Sequence, residues 1–393
     1  MQDLVFLILC LLSIININFK GINEFYYDYM NLKNTNQIKG IFVWMIILYH
    51  NRIYFRDDKK YIYNSILDCV GQKMVSLFLF YSGFGICESI NYKGINYVKY
   101  LPKKGIILFI KTQIIIFIFL VTNIFLGIKT SLYNYFLSII FKSSIGNSNW
   151  FAFSIILFYF YSFLSFIFIK KRKYYFLGII FISILCSFHN YFTYNFYYPK
   201  VRHTVDNTLT FIIGFWYSLS KKYFENYVLK NDKFFYGSLS FSIIIYYNYY
   251  SNRLKTVWIV SITNAIFSLI VVLISMKVRF RNEFLTLLNS HSYSIYLLQR
   301  IVMRFVKIKK YFKKNEFIRF FSEFSIILFI SIIFDDYTHF IDNIFNNKNE
   351  KKNLYNDDTI YLIDNIFNKK IENKINLFSN KEDIKVINDD IKK

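Results

Sequence analysis

The sequence predicts an all-α polytopic membrane protein, a bundle of about 10–11 transmembrane helices. Of its 393 residues, 55% are hydrophobic and 22% are aromatic, and long apolar runs alternate with short charged segments. The formal net charge is +23, but Lys and Arg are concentrated in the short connections between apolar runs and in the C-terminal segment. That distribution is typical of membrane topology, so we expect membrane lipid around the chain and no nucleic acid partner.

Eleven apolar runs are long enough to be spans. They lie at residues 3–19, 38–55, 70–90, 105–128, 150–169, 174–192, 207–220, 234–250, 257–278, 292–306 and 317–334. The first run lacks a basic start and a small-residue cleavage site, which predicts a retained helix rather than a signal peptide. Cys10, Cys69, Cys87 and Cys186 form no CxxC pair, so we expect buried thiols and neither a disulfide framework nor a metal site.

These runs divide the chain into three parts. Residues 1–33 are predicted to hold an extra N-terminal transmembrane helix and a loop, and residues 34–334 a transmembrane domain. Residues 335–393 are rich in Asn, Asp and Lys, which predicts a disordered cytoplasmic tail. Within this tail DDYTHFIDNIFN recurs as DDTIYLIDNIFN after 22 residues, and two copies are too few to form a solenoid.

The distribution of cationic residues predicts the orientation. Four clusters fall on one side if the spans alternate, which makes that side cytoplasmic. They lie at residues 93–104, 170–173, 221–222 and 277–281. The five lysines of residues 307–314 fall on the other side and are an exception to this rule. On this topology Lys39 lies at the cytoplasmic end of its span and His50 nearer the outer face.

Lys39 and His50 enclose the apolar segment GIFVWMIILY with no other charge between them. In a helix, eleven steps of 100° place both side chains within about 20° of one face, roughly 16 Å apart along the axis. Ionisable groups at membrane depth usually mark a pathway or a reaction centre. The alternative is that Lys39 extends to the interface and His50 hydrogen-bonds a neighbouring helix.

Further segments combine polar residues with apolar runs. In SLFLFYSGFGI, Ser82 and Gly83 predict either a functional hydroxyl or a close helix contact. In NYVKYLPKKGI, Pro102 is expected to end a loop, and Lys103 and Lys104 to begin a helix. Lysines at that position either anchor the helix or bind phosphates. Trp150 lies in NSNWFAF, Asp206 and Asn207 lie in VDNTLTFIIGFWYS, and Gln299 ends SYSIYLLQ.

In this order the segments resemble the membrane-bound acyltransferase 3 family, which includes O-acetyltransferases and fucose 4-O-acetylase-like proteins. The resemblance covers residues 34–334. Lys39 and His50 match the family's basic residue and histidine, spaced with ten residues between them on an early helix. The Ser-Gly segment, the basic loop with its proline, NTLTFIIG and SYSIYLLQ match further family segments. Two differences are that Gln299 occupies the position of a second histidine and that lysines replace arginines in the basic loop.

The resemblance implies transfer of an acyl group, often acetyl, from acyl-CoA to a hydroxyl of a cell-surface polysaccharide or lipid-linked sugar. His50 is then the general base, because an imidazole exchanges protons near neutral pH. Lys39 stabilises donor charge or the developing oxyanion, and Ser82 orients the donor or carries an acyl intermediate. Lys99, Lys103 and Lys104 are expected to bind CoA phosphates, and Trp150, Asp206 and Asn207 the acceptor. The location expected is the bacterial cytoplasmic membrane.

Two other classes of protein remain compatible with the residues alone. A transporter or flippase for an envelope precursor also uses ionisable groups inside the membrane, although no inverted repeat or broken helix pair is visible. A receptor or structural membrane protein could use the duplicated tail for binding partners.

Overall fold

The computed structural model describes residues 2–55, 62–197, 202–251, 256–309 and 315–345. The chain falls into two compact units, residues 1–339 and residues 340–393, and of the second unit only residues 340–345 are described.

Helices dominate the described residues. They are α1 (Gln2–Ile14), α2 (Leu32–Phe55), α3 (Ile62–Lys93), α4 (Ile95–Phe125), α5 (Leu132–Ile139), α6 (Trp150–Phe166), α7 (Tyr175–Tyr197), α8 (Arg202–Val228), α9 (Asp232–Ser251), α10 (Val257–Lys277), α11 (Glu283–Ser290), α12 (Ser292–Lys309) and α13 (Glu316–Phe345). A short 3₁₀ helix (Arg172–Tyr174) precedes α7. Two strands of two residues, β1 (Asn18–Phe19) and β2 (Val278–Arg279), pair antiparallel.

The prediction of an all-α polytopic membrane bundle is confirmed. A helix lies at each of the eleven predicted spans. Among the described residues, five helical segments are long and apolar enough to cross a membrane by length and composition: Lys73–Lys93, Ile95–Phe125, Arg172–Asn195, Val257–Lys277 and Glu316–Ile344. Two apolar helices, Asp3–Ile14 and Trp150–Phe166, are shorter.

The first predicted span is too long, because the helix ends at Ile14 rather than at residue 19. Asn16 adopts a left-handed conformation with φ of 62°, which turns the chain away from the helix axis. The following residues then pair as β1 with β2, so they take hydrogen bonds from a segment far along the chain. Such long-range pairing leaves no local pattern in an apolar run.

The role predicted for Pro102 is wrong. Gly94 alone connects α3 to α4, with φ of 62°, and Pro102 lies inside α4. The amide groups of Tyr97 and Val98 bond the carbonyl of Gly94, so the helix begins immediately after this glycine. Because glycine adopts positive φ at little cost, one residue is enough to reverse the chain, and no longer loop is needed.

Helices α3 and α8 approach each other closely at two glycines. A methyl group on Gly83 would overlap the carbonyl oxygen of Phe211, and one on Gly214 would overlap the carbonyl oxygen of Phe80. Close approach of this kind is how small residues pack membrane helices together. The helix-contact interpretation of the Ser82–Gly83 segment therefore holds for Gly83.

The C-terminal boundary also differs from the sequence expectation. Helix α13 continues to Phe345, past the boundary predicted at residue 335. The rest of the predicted disordered tail, with the second copy of the duplication, lies outside the described residues.

Candidate active site

A cavity of about 250 Å³ lies among α2, α3, α4, α6 and α12. Its wall is mostly apolar and aromatic, with hydroxyl groups from a few side chains. The lining residues are Val43, Ile46, Val75, Phe78, Ser82, Leu108, Phe151, Ile155, Tyr159, Ser292, Tyr293, Ile295 and Tyr296. An apolar wall with a few polar groups is typical of a small-molecule site.

The cavity lies along the face of α2 that holds Lys39 and His50. Residues 39, 43, 46 and 50 of α2 share one helical stripe, within about 60° of one another. The two middle residues, Val43 and Ile46, both line the cavity. Lys39 and His50 are not themselves among the lining residues; they lie on the same stripe before and after these two, roughly 16 Å apart along the axis.

His50 is buried, with 8% of its surface exposed, and it contacts Tyr296 of α12 edge to face. The two ring centroids are 6.3 Å apart. Since Tyr296 itself lines the cavity, this contact places the imidazole at the edge of the cavity. The next residue, Asn51, connects α2 to α13. Its amide donates a hydrogen bond to the buried carboxyl group of Glu323.

Tyr296 is held by residues at the start of α6. Its hydroxyl group lies 3.2 Å from the hydroxyl oxygen of Ser148, and the Trp150 side chain interacts with the same group. Its ring lies 5.1 Å from that of Phe151. The predicted substrate residue Trp150 is thus connected to His50 through Tyr296.

Ser82, predicted to orient the donor, lines the cavity on α3. Tyr293 lies across from α4, where its hydroxyl group bonds Thr112 at 2.6 Å and donates to the carbonyl of Leu108 at 3.2 Å. Because Tyr293 and Leu108 both line the cavity, this contact fixes α12 against α4 at the wall.

The three predicted donor-binding lysines differ in their positions on α4. Lys104 donates a hydrogen bond to the Tyr97 hydroxyl at 3.3 Å and lies over the rings of Tyr97 and Tyr100. It also interacts electrostatically with Tyr159, which lines the cavity. Lys103 lies over the Tyr100 ring, and Lys99 is exposed. Of the three, Lys104 is therefore the one connected to the cavity wall.

Asp206 and Asn207, predicted to bind the acceptor, are fully buried and are not among the residues that line the cavity. Ser76 of α3 donates a hydrogen bond to the Asn207 amide oxygen. Asn264 of α10 donates to the same oxygen at 3.2 Å and to the carbonyl of Asp206 at 3.1 Å. The geometry therefore gives this pair a helix-packing contact that joins α3, α8 and α10.

Gln299 and Arg300 lie on α12 just beyond the residues that line the cavity. They follow Tyr296 by three and four residues, and helical neighbours at these spacings share a face. The Gln299 amide donates to the carbonyl of Tyr296 at 3.1 Å. Its own oxygen is buried and has no hydrogen-bond partner among the described residues. Arg300 lies one helical turn after Tyr296, whose ring contacts His50.

Sequence reasoning missed Tyr159, Tyr296 and Arg300 as members of this group. Tyr296 and Arg300 share helical spacing with Ser292, which lines the cavity, so the i, i+4, i+8 pattern was present in the sequence. The pattern does not indicate, however, which face of α12 packs against α2.

These features define an integral membrane protein whose helices enclose a cavity with a buried histidine at its edge. The model of the acyltransferase 3 family, which describes an acyltransferase domain, matches residues 32–335. The chain therefore belongs to this family, as its motifs predict, and is a membrane acyltransferase at the level the family defines. No curated protein and no solved structure matches the chain.

Proposed function

We propose that the protein transfers an acetyl group from acetyl-CoA to a hydroxyl group of a cell-surface polysaccharide or a lipid-linked sugar. The observation that supports this most is the cavity along the α2 stripe that also holds Lys39 and His50. The proposed location is the bacterial cytoplasmic membrane, with the Lys39 end facing the cytoplasm.

The cavity size limits how much of the donor enters. At about 250 Å³ it is smaller than the roughly 300–1,000 Å³ of pockets that enclose a drug-sized ligand. It would take the acyl end of the thioester, with the nucleotide part of CoA outside it. Lys104, beside Tyr159 of the wall, would meet the donor's phosphates, and the apolar wall would keep water from the thioester.

His50 would act as the general base. It would take the proton of the acceptor hydroxyl as that oxygen attacks the thioester carbonyl, and later give the proton to the departing CoA thiolate. The Tyr296 ring, fixed by Ser148 and Phe151, would hold the imidazole in place. Ser82 lies in the same wall and would orient the donor.

The experiment is transfer from a doubly labelled donor, with one isotope in the acetyl group and another in CoA. Membranes that contain the protein are compared with matched membranes that lack it. We expect the acetyl label alone to become covalently attached to membrane glycan or lipid-linked sugar, while the CoA label stays soluble. Uptake of both labels together, or of neither, would contradict the proposal, and uptake of both would favour a transporter.

A further inference from the structure

Arg300 is a cation beside His50 whose hydrogen bonds are incomplete. Its Nε is buried and has no hydrogen-bond partner among the described residues. A buried N–H group without a partner is costly, and a ligand oxygen that accepts its hydrogen bond removes that cost. By contrast, Arg304, one turn further along α12, donates to Asn123 at 2.5 Å and to the carbonyl of Ile145 at 3.1 Å.

The position of Arg300 relates it to the reacting atoms. It lies one turn after Tyr296 on the stripe that also includes Ser292, and both of these residues line the cavity. Arg300 is not itself among the lining residues, so the guanidinium group lies beside the cavity, on the turn of α12 that follows the contact between Tyr296 and His50.

Lys39 is too far from that contact to serve the same purpose. A general base must lie within about 3 Å of the hydroxyl that it deprotonates, and that oxygen is the one that attacks the carbonyl. The oxyanion therefore forms next to His50. Lys39 lies roughly 16 Å from His50 along α2, and an extended lysine side chain does not close that distance.

We propose that Arg300 is the catalytic cation that stabilises the oxyanion of the acyl-transfer step, a role that rests on the function proposed above. The acceptor oxygen forms a bond to the thioester carbon while its proton passes to His50. The carbonyl π pair moves onto oxygen, next to the guanidinium group. When this pair returns, the carbon–sulfur bond breaks and the CoA thiolate takes the proton from His50. Lys39 is then left to meet donor charge at the other end of the α2 stripe.

The test compares two donors that differ in how much help their oxyanion needs. Fluoroacetyl-CoA stabilises its own oxyanion through the electron-withdrawing fluorine, and acetyl-CoA does not. Arg300→Met should lower kcat with acetyl-CoA by about 10²–10³, the usual loss when one oxyanion donor is removed, with KM for the donor little changed. With fluoroacetyl-CoA the loss should be at least about tenfold smaller. Arg300→Lys keeps the charge and should show a smaller loss with the same dependence on the donor.

Arg304→Met is the matched control, since it removes an arginine of the same helix that already has protein partners. Any loss that it causes should be equal for the two donors.

An Arg300 defect of equal size with both donors, an unchanged kcat, or a defect confined to the acceptor KM would overturn the inference. If Arg300→Met does not fold, the inference is tested by Arg300→Lys instead, whose loss should again be smaller with fluoroacetyl-CoA than with acetyl-CoA. A wild-type protein inactive with both donors would overturn the proposed function, and the inference with it, whereas an active wild type with a donor-independent Arg300 defect overturns the inference alone.

Discussion

The His50 imidazole meets the Tyr296 ring edge to face, with 6.3 Å between the ring centroids. The two residues are far apart in the sequence, and their contact joins α2, the helix that holds Lys39 and His50, to α12. Tyr296 also lines the cavity, so this one contact connects the proposed base to the space where the thioester would lie.

Two substitutions of Tyr296 separate the effect of its ring from the effect of its hydroxyl group. Tyr296→Phe keeps the edge-to-face contact with His50 and loses the bond to Ser148, whereas Tyr296→Ala loses both. An aromatic pair contributes about 0.5–1.5 kcal/mol, so we expect the Ala variant to be about 2- to 10-fold slower than the Phe variant. The measurement is initial acetyl transfer rate at equal amounts of inserted protein. Equal rates for the two variants would show that the ring does not position His50.

Lys104 is predicted to affect donor binding specifically. Lys104→Met should raise KM for acetyl-CoA by about tenfold or more, because a charge-assisted phosphate contact is worth about 1.5–3 kcal/mol. The matched control is Lys222→Met, which changes an exposed lysine in the C-terminal part of α8. Donor saturation curves measure the effect, and a KM that moves equally in both variants would return Lys104 to an anchoring role.

Two glycines on α3 test the contact with α8. A methyl group at Gly83 meets the backbone of Phe211, whereas one at Gly85 meets nothing within 4 Å. Overpacking typically costs about 1–3 kcal/mol, so Gly83→Ala should lower the melting temperature in detergent and Gly85→Ala should not. If both variants melt like the wild type, the close packing of α3 on α8 is not needed for stability.

Asp232 is predicted to give a pH-dependent contribution to stability. A hydrogen bond from Lys277, at 2.7 Å, lowers the pKa of the Asp232 carboxyl. Because the folded-state pKa is lowered, the stabilisation is present above the usual carboxyl pKa of about 3.9 and is lost as the pH falls below it. Asp232→Asn should therefore melt at a lower temperature than the wild type at neutral pH, and the difference should disappear in acid. A difference that persists unchanged at acidic pH would exclude the ion pair as its cause.

The sequence predicted the parts of the site that lie on a single helix. Spacing alone placed Lys39 and His50 on one face of α2, and the cavity lies along that face. The contact of His50 with Tyr296 was not predictable, because helical periodicity defines a face of each helix and not which faces meet. Arg300 was missed for the same reason.

Two other segments contain residue types that have more than one common role. Asp206 and Asn207 were predicted to bind the acceptor, but polar groups inside a helix bundle also bond to neighbouring helices, as Asn207 does with Ser76 and Asn264. Pro102 was predicted to mark a loop, but the chain reverses at Gly94 instead. For Pro102 the role assigned from the sequence was not the one that tertiary packing selected. The acceptor-binding role of Asp206 and Asn207 stays a prediction.

His50→Gln, measured beside His189→Gln, tests the central claim most directly. Glutamine keeps the size and hydrogen bonding of histidine but cannot exchange a proton near neutral pH. His189 on α7 is the matched control, because this half-buried histidine bonds the hydroxyl groups of Tyr161 and Thr193 and does not line the cavity. The account predicts that His50→Gln loses about 10²–10⁴ in acetyl transfer rate at equal membrane insertion, while His189→Gln stays near wild type. A His50→Gln variant that keeps most of the activity would contradict the account.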